Sequence, residues 1–243
     1  MSKPWAEVLT ESEIEALVRR MELLPQLLRR REEESIAALV PLPEDWLAEQ
    51  RSQLLGDQTL EEFLQARGWQ ASDLDLHLSR QESLRRFAQQ RFGPGLEERF
   101  LASKGGRDEV IYSLLRVRDA GLARELWIRL EEDETTFAEA ASHYSEGPEA
   151  QRKGVMGPMP IGVLQPPQLA EWLRSLEPGQ VMPPRPLGEW HVLLRLEQLT
   201  PARFDGPMRD KLLQEELEAF LEARVQQRLA GEEPEALHYD HDL

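Results

Sequence analysis

The spacing of apolar residues changes at Lys104-Gly105-Gly106-Arg107, and this change most constrains the fold. From about residue 10 to 104, apolar side chains recur every three or four positions, which predicts amphipathic helices. After it, Val110–Val117 is a run of β-branched, aromatic and aliphatic residues that predicts a strand. Because adjacent glycines interrupt regular structure, we expect a domain boundary between the two parts.

Local signals divide the first part into several helices. Thr10 is followed three positions later by Glu13, which predicts a capping box at a helix start. Pro25 lies inside the same apolar run and is expected to kink it or split it. Another helix is expected to begin at Thr59 and to end at Gly68.

One apolar stripe in this part has two interpretations. Leu23, Leu24, Leu27 and Leu28 lie at helical spacing. They form either part of a helical core or the lining of a groove for client polypeptides.

The second part mixes strands and helices. The expected order after the glycines is strand, two helices, strand, helix and two strands, within about 90 residues, which indicates an α+β domain. Asp205–Leu229 then has a long apolar stripe and predicts a further helix. After Gly231 the chain is acidic and is expected to fray.

Charge and composition exclude several function classes. The formal net charge of −16 opposes nucleic-acid binding and anionic membrane surfaces, because both partners are negatively charged. The chain has no cysteine, so it has no disulfides and no thiolate metal ligands, and we expect neither a metal nor a cofactor. No segment has the length of a membrane span. Met1–Glu7 has no apolar run, so we expect a cytoplasmic protein.

Four motifs in the second part occur in a fixed order. They are Phe137–Ser145 (FAEAASHYS), Gly154–Gly157 (GVMG), Leu176–Val181 (LEPGQV) and Leu187–Val192 (LGEWHV). Together they resemble the helix, glycine turn, "L-x-x-G-x-v" segment and closing "fGyHii" strand of parvulin-type peptidyl-prolyl cis/trans isomerases. The resemblance implies a small antiparallel sheet surrounded by helices.

The segments on either side extend the resemblance. A helical amino-terminal region, one parvulin-like domain and a returning carboxy-terminal helix resemble the SurA and PrsA group of chaperone-isomerases, and also soluble parvulin-domain proteins associated with cyanobacteria. This implies a helical chaperone-like module at 1–105, an isomerase domain at 108–199, a helix at 203–230 that packs on the module, and an acidic tail at 231–243.

The resemblance also implies site residues. Parvulins place two histidines in a hydrogen-bonded pair, with a Cys or Asp beside them. The second histidine matches His191, the first falls on Ser113, and the Cys or Asp falls on Val155. Ser113 is expected to hydrogen-bond to His191, while Val155 supplies no polar group, so we expect reduced catalysis. Within the family, His191 is equally well explained as an ordinary strand histidine.

An apolar cup for the substrate proline is implied as well. Its positions fall near Leu164 and Leu169, and Met159 is a further candidate. These residues and Val155 are the expected substrate-binding set.

Two functions remain open from the sequence. In the first, the protein is a peptidyl-prolyl isomerase and folding helper that binds proline-containing client polypeptides. In the second, it is a catalytically silent parvulin-fold chaperone or adaptor, and the helical module binds the clients. Three arginines in Arg116–Arg124 occupy the stretch where some parvulins bind phosphate, but Asp119 interrupts them, so no preference for phosphorylated peptides is expected.

Overall fold

A computed structural model describes residues 9–241 of the chain. Met1–Val8, on which the expected localisation rests, and the last two residues lie outside the described part. The chain divides into two compact units, a helical unit of residues 1–96 and 205–243 and a sheet unit of residues 97–204. Within residues 9–241, no helix is long and apolar enough to cross a membrane.

The secondary structure combines helices with a few strands, as expected for an α+β chain. The helices are α1 (Glu11–Arg20), α2 (Leu24–Leu39), α3 (Glu44–Leu55), α4 (Leu60–Arg67), α5 (Ala71–Phe92), α6 (Leu96–Arg107), α7 (Ala120–Glu131), α8 (Phe137–Tyr144), α9 (Gln168–Arg174) and α10 (Gly206–Leu229). The strands are β1 (Glu109–Val117), β2 (Val155–Pro160), β3 (Arg185–Leu187) and β4 (Trp190–Thr200). The α+β class is confirmed.

Local capping signals set the helix ends. The capping box at Thr10 and Glu13 is present, with the Glu13 carboxylate accepting from the Thr10 backbone N–H at 2.8 Å. Pro25 occupies the first turn of α2, where its missing N–H is no loss, so the apolar run is split there into α1 and α2. Gly68 ends α4 in the left-handed conformation.

Three helices build the core of the helical unit. α10 packs on α2 and α5, and α2 packs on α5. Ile36, Phe87 and Leu217 are among its buried side chains. Phe220 of α10 contacts Phe87 of α5 with the ring centroids 5.7 Å apart.

From the sequence, Leu17, Met21 and Leu24 are the expected partners of the α10 stripe. This is wrong, because Met21 and Leu24 are 61% and 49% exposed and the stripe packs on α2 and α5.

Ion pairs between buried groups join α10 to α2. The carboxylate of Glu32 is fully buried and accepts from Arg224 Nε at 2.6 Å and from Arg228 Nε. Burial alone would raise the pKa of Glu32, but the hydrogen bonds from Arg228 and Arg224 outweigh it and hold the pKa below its usual value. Because the folded pKa is depressed, this stabilisation is present above the unfolded pKa of about 4.3 and is lost as pH falls through the folded value.

The sheet unit contains one four-stranded sheet in the order β2-β1-β4-β3 with antiparallel pairing throughout. Both faces of the sheet are covered. One face packs on α7 and α8 around Leu115, Leu126 and Leu193, and we call it the α7–α8 face. The other packs on α9 around Leu114 and Leu194, and we call it the α9 face.

A glycine allows β1 to approach α8 closely. Gly154 has φ +82°, and a Cβ there would lie 2.8 Å from Ala141 Cβ and 2.9 Å from the Leu114 carbonyl oxygen. Its own carbonyl accepts from the Leu114 N–H at 2.9 Å. The glycine of the motif Gly154–Gly157 is therefore required by both backbone conformation and space.

We predict that Glu32→Gln destabilises the helical unit by about 3–5 kcal/mol, because it leaves two arginines without their buried carboxylate. The matched control is Glu34→Gln, which breaks the half-exposed pair with Arg30 on the same helix and is expected to cost at most about 0.5 kcal/mol. Urea unfolding combined with hydrogen exchange in α2 and α10 measures both. Equal losses in the two variants would contradict this account of the buried cluster.

Candidate functional site

Ser113 lies in the middle of β1, in a row of residues that crosses the sheet. Its neighbours are Val155 on β2 and Arg195 on β4. Directly opposite residues of an antiparallel pair point to the same face, so all three side chains lie on the α7–α8 face. Ser113 is buried, while Val155 is 44% exposed at the edge of the row.

The hydroxyl of Ser113 has a carboxylate partner. It donates to Glu197 Oε1 on β4, and the same oxygen accepts from Arg195 Nε at 2.8 Å. The guanidinium of Arg195 also lies 5.4 Å from the centre of the Phe137 ring. Ser113 is thus the buried end of a small polar network with an ion pair at its other end.

His191 lies at one end of the sheet, away from the row that contains Ser113. It is half-buried near the start of β4, opposite Val117 of β1 and Pro186 of β3. Its Nδ1 is 3.2 Å from the Arg118 carbonyl oxygen. Because a carbonyl only accepts, Nδ1 carries the proton in this contact.

The structure does not bring Ser113 and His191 together. Four positions of β1 separate Ser113 from Val117, the residue opposite His191. At about 3.3 Å per residue this is roughly 13 Å along the strand, far beyond hydrogen-bond distance. The expected hydrogen bond between the two side chains is therefore replaced by the Ser113–Glu197 and His191–Arg118 contacts.

The three apolar candidates lie together on the α9 face. Leu164 and Leu169 are buried in its core, and Met159 is half-buried beside them on β2. Further half-buried residues border this cluster and offer apolar surface toward solvent: Met156, Trp172, Leu176, Leu187, Trp190 and Leu199. A proline ring would meet this border rather than the two leucines, which are already enclosed.

The candidates are thus divided between the two faces of the sheet. Ser113, Val155 and His191 belong to the α7–α8 face, and Met159, Leu164 and Leu169 to the α9 face. Val155 therefore lies apart from the other residues assigned to substrate binding. The division follows from the alternation of side chains along β1, β2 and β4.

Sequence reasoning missed Glu197 and Arg195, the partners of Ser113. Arg195 and Glu197 alternate with the buried Leu194 and Leu196. This alternation in the sequence indicates two polar residues on one face of β4. Their position opposite Ser113 depends on the β1–β4 register, and one sequence does not give that register.

Two arginines near the end of β1 are already paired with carboxylates. Arg116 makes a bidentate pair with the buried Glu149, with Nε–Oε1 and Nη2–Oε2 distances of 2.8 and 2.7 Å. Burial would raise the pKa of Glu149, but hydrogen bonds from Arg116 and Ser145 hold it below its usual value. Arg118 contacts Glu146 at 2.8 Å and lies 4.2 Å from the centre of the Trp190 ring.

In the part of the chain that the structure describes, the side chains able to bind a metal ion are those of histidine, aspartate and glutamate. There, no three His, Asp or Glu side chains are grouped in a way that could hold a metal ion.

Comparison with protein families finds a match within the sheet unit. Residues 119–197 match the family model of the rotamases, described as the PPIC-type PPIase domain. This part of the chain is a parvulin-type rotamase domain. The match covers α7 through most of β4 and includes Val155, Met159, Leu164, Leu169 and His191, whereas Ser113 precedes it.

Solved structures of similar proteins span nearly the whole chain. The peptidylprolyl isomerase PrsA of Bacillus cereus is 16% identical over 96% of this chain and 91% of its own, with a TM-score of 0.49. PrsA of Bacillus anthracis is 15% identical over 87% and 100%, with a TM-score of 0.44. A SurA-like chaperone structure from Campylobacter jejuni is 15% identical over 96% and 88%, with a TM-score of 0.37.

A comparison with curated protein sequences found no match.

We predict that the rotamase domain binds a phosphoserine-proline peptide no more tightly than the unphosphorylated peptide. A phosphate would have to displace Glu149 from Arg116 or Glu146 from Arg118, and no net positive charge would be gained. Isothermal titration of the two peptides measures this. Preferential binding of the phosphopeptide that is lost in Arg116→Ala or Arg118→Ala would refute it.

Proposed function

We propose that the protein is a folding helper that binds proline-containing polypeptide segments and accelerates their cis/trans isomerisation weakly. The match of residues 119–197 to the rotamase family carries this proposal. The clients, in this reading, are unfolded or extended chains, since a prolyl bond inside a folded protein is not accessible.

The chemistry needs little from the enzyme beyond a suitable surface. The barrier to rotation about the peptide C–N bond, about 18–20 kcal/mol, comes from its partial double-bond character. Apolar surroundings and contacts that hold the proline ring favour the twisted transition state. The half-buried Met159, Trp172 and Trp190 at the border of the α9-face cluster supply apolar surface of this kind.

The polar part of the site supports weak rather than strong catalysis. Ser113 is engaged by Glu197, His191 by the Arg118 carbonyl, and Val155 has no polar group to offer. None of these three residues shares a hydrogen bond with another. The contribution of a cooperative polar pair is therefore absent from the proposed mechanism.

We expect detectable but low isomerase activity on short Xaa-Pro peptides, and we expect Ser113→Ala and His191→Ala to act independently. Because the residues are far apart, the changes in activation free energy, calculated as RT ln of the ratio of kcat/KM values, should add to within about 0.5 kcal/mol in the double variant. A protease-coupled assay measures all four proteins. Strong coupling would show that the two residues meet during catalysis, and activity like that of a parvulin with both histidines would refute the account of the site.

A second candidate function is that of a silent chaperone whose helical unit binds clients. An exposed apolar surface favours it. Ile14, Val18, Leu24 and Leu229 line a groove of about 590 Å³ between α1, α2 and the end of α10. Leu24 and Leu27 are each 49% exposed. At these two positions, the apolar stripe that could also have formed part of a helical core faces solvent instead.

We predict that Leu24→Asp reduces the ability of the protein to suppress aggregation of an unfolded client, because a charge in the groove opposes burial of apolar client side chains. Leu54→Asp, at a 39% exposed position of α3 away from the groove, is the matched control. Light scattering of a diluted denatured client measures both, with the isomerase assay run in parallel. Equal loss in the two variants would exclude a specific role for the groove.

A further inference from the structure

The carboxy-terminal tail, residues 232–240, lies extended on the helical unit and has neither helix nor strand. The sequence favours a frayed end here, and the structure differs. Pro234 is buried, and Leu237 and Tyr239 are half-buried, whereas Ala236 and His238 between them are exposed. Three of the nine tail residues are thus turned toward the helical unit, as in a bound peptide whose side chains enter a partner surface.

Main-chain hydrogen bonds hold the tail. Gln90 of α5 donates from Nε2 to the Asp240 carbonyl oxygen at 2.6 Å, and the Asp240 N–H donates to Gln90 Oε1 at 2.8 Å. Arg224 of α10 donates from Nη1 to the Glu235 carbonyl oxygen at 2.7 Å. Every extended polypeptide offers the same backbone groups, so these contacts do not depend on the tail sequence.

The surface under the tail is rich in arginine. Arg85, Arg86, Arg91, Arg209 and Arg224 border it on α5 and α10. Acidic groups also face it: Glu82 binds both Arg85 and Arg86, Asp210 lies near Arg85, and Glu32 binds Arg224. The hydrogen bonds from Arg85 and Arg86 lower the pKa of Glu82 to about 2, so this pairing persists at neutral pH.

The tail has the complementary charge. It carries Glu232, Glu233, Glu235 and Asp240, and Arg228 contacts Glu233 at 3.2 Å. The acidic tail therefore lies beside arginine side chains in a chain whose net charge is −16. Arg91 and Arg209 lie outside these ion pairs and are the positive charges that an acidic segment would meet, while the hydrogen bonds require an accessible main chain.

The groove also has space beside the tail. A cavity of about 420 Å³ adjoins Tyr239 and is lined by Gln89, Gln90 and Arg209, among others. A second, of about 210 Å³, lies between α10 and the segment around Leu237. The tail thus fits the surface without filling it, as expected of a replaceable occupant.

We propose that α5 and α10 form a docking groove for extended acidic polypeptide segments, and that residues 232–240 occupy it as an intramolecular ligand. An incoming segment displaces the tail and takes over the Gln90 and Arg224 hydrogen bonds. That the incoming segment belongs to a client polypeptide rests on the function proposed above. The groove itself does not involve the rotamase domain.

The test releases the tail without altering the groove. Pro234→Ser together with Leu237→Ser removes the buried side chains, and Ala236→Ser together with His238→Ser is the matched control at the exposed positions. The probe is a fluorescently labelled peptide with the sequence of residues 232–240, and its anisotropy is followed with the full-length proteins. Hydrogen exchange in residues 232–240 reports the release of the tail.

The released variant should bind the probe about tenfold more tightly than the wild type and the control, because the groove is no longer occupied. Adding Gln90→Ala to the released variant should abolish the gain. A probe with glutamines at the positions of Glu232, Glu233 and Glu235 should bind more weakly, and salt should weaken the acidic probe.

Several outcomes would overturn the proposal. These are equal probe affinity in released and control variants, exchange in residues 232–240 that is unaffected by the release substitutions, or equal binding of the glutamine probe. The isomerase assay distinguishes this result from failure of the proposed function. Probe binding without isomerase activity leaves the groove standing, and isomerase activity without probe binding removes only the groove.

Discussion

The antiparallel pairing of β1 with β4 determines where Ser113 and His191, the polar candidates of the sheet unit, lie. Both strands are central in the sheet and both of their faces are covered, so each residue is assigned to one of two separate apolar clusters. A slip of one position would exchange the two sets of side chains, placing Arg195 and Glu197 in the α9-face core. The cost of burying those charges without partners fixes the register, and the register places Ser113 beside Glu197 and away from His191.

The helical unit depends on a different constraint, since its parts come from both ends of the chain. α10 is separated from α2 by the whole sheet unit in sequence, yet Glu32 meets Arg224 and Arg228 in the structure. The apolar stripe of α10 provides most of the stabilisation, at about 1.5–3 kcal/mol for each fully buried leucine. The buried ion pairs of Glu32 also fix the position of α10, because a shift of this helix would leave buried charges unpaired.

The β1–β4 register and the packing of α10 on α2 leave the two units with different functional groups. The sheet unit has half-buried apolar residues at the border of its α9-face cluster, and its polar candidates Ser113 and His191 are each bound to other partners. The helical unit, in contrast, has an exposed apolar groove and an arginine-bordered surface that holds an extended segment. These features are consistent with the folding helper proposed above, in which polypeptide binding would contribute more than bond rotation.

The sequence by itself determined the local structure and the family of the second part. Thr10 with Glu13, Gly68 and the β-rich run Val110–Val117 act through nearby atoms, so their helix ends and strand follow from short-range rules. The four ordered motifs likewise identified the rotamase domain that residues 119–197 match. Tertiary structure alone decided which residues meet: Ser113 with Glu197, Phe220 with Phe87, and Gln90 with Asp240. Those contacts join positions far apart in the chain, and they depend on strand register and helix packing, which are set by the free energy of the whole fold and not by local spacing.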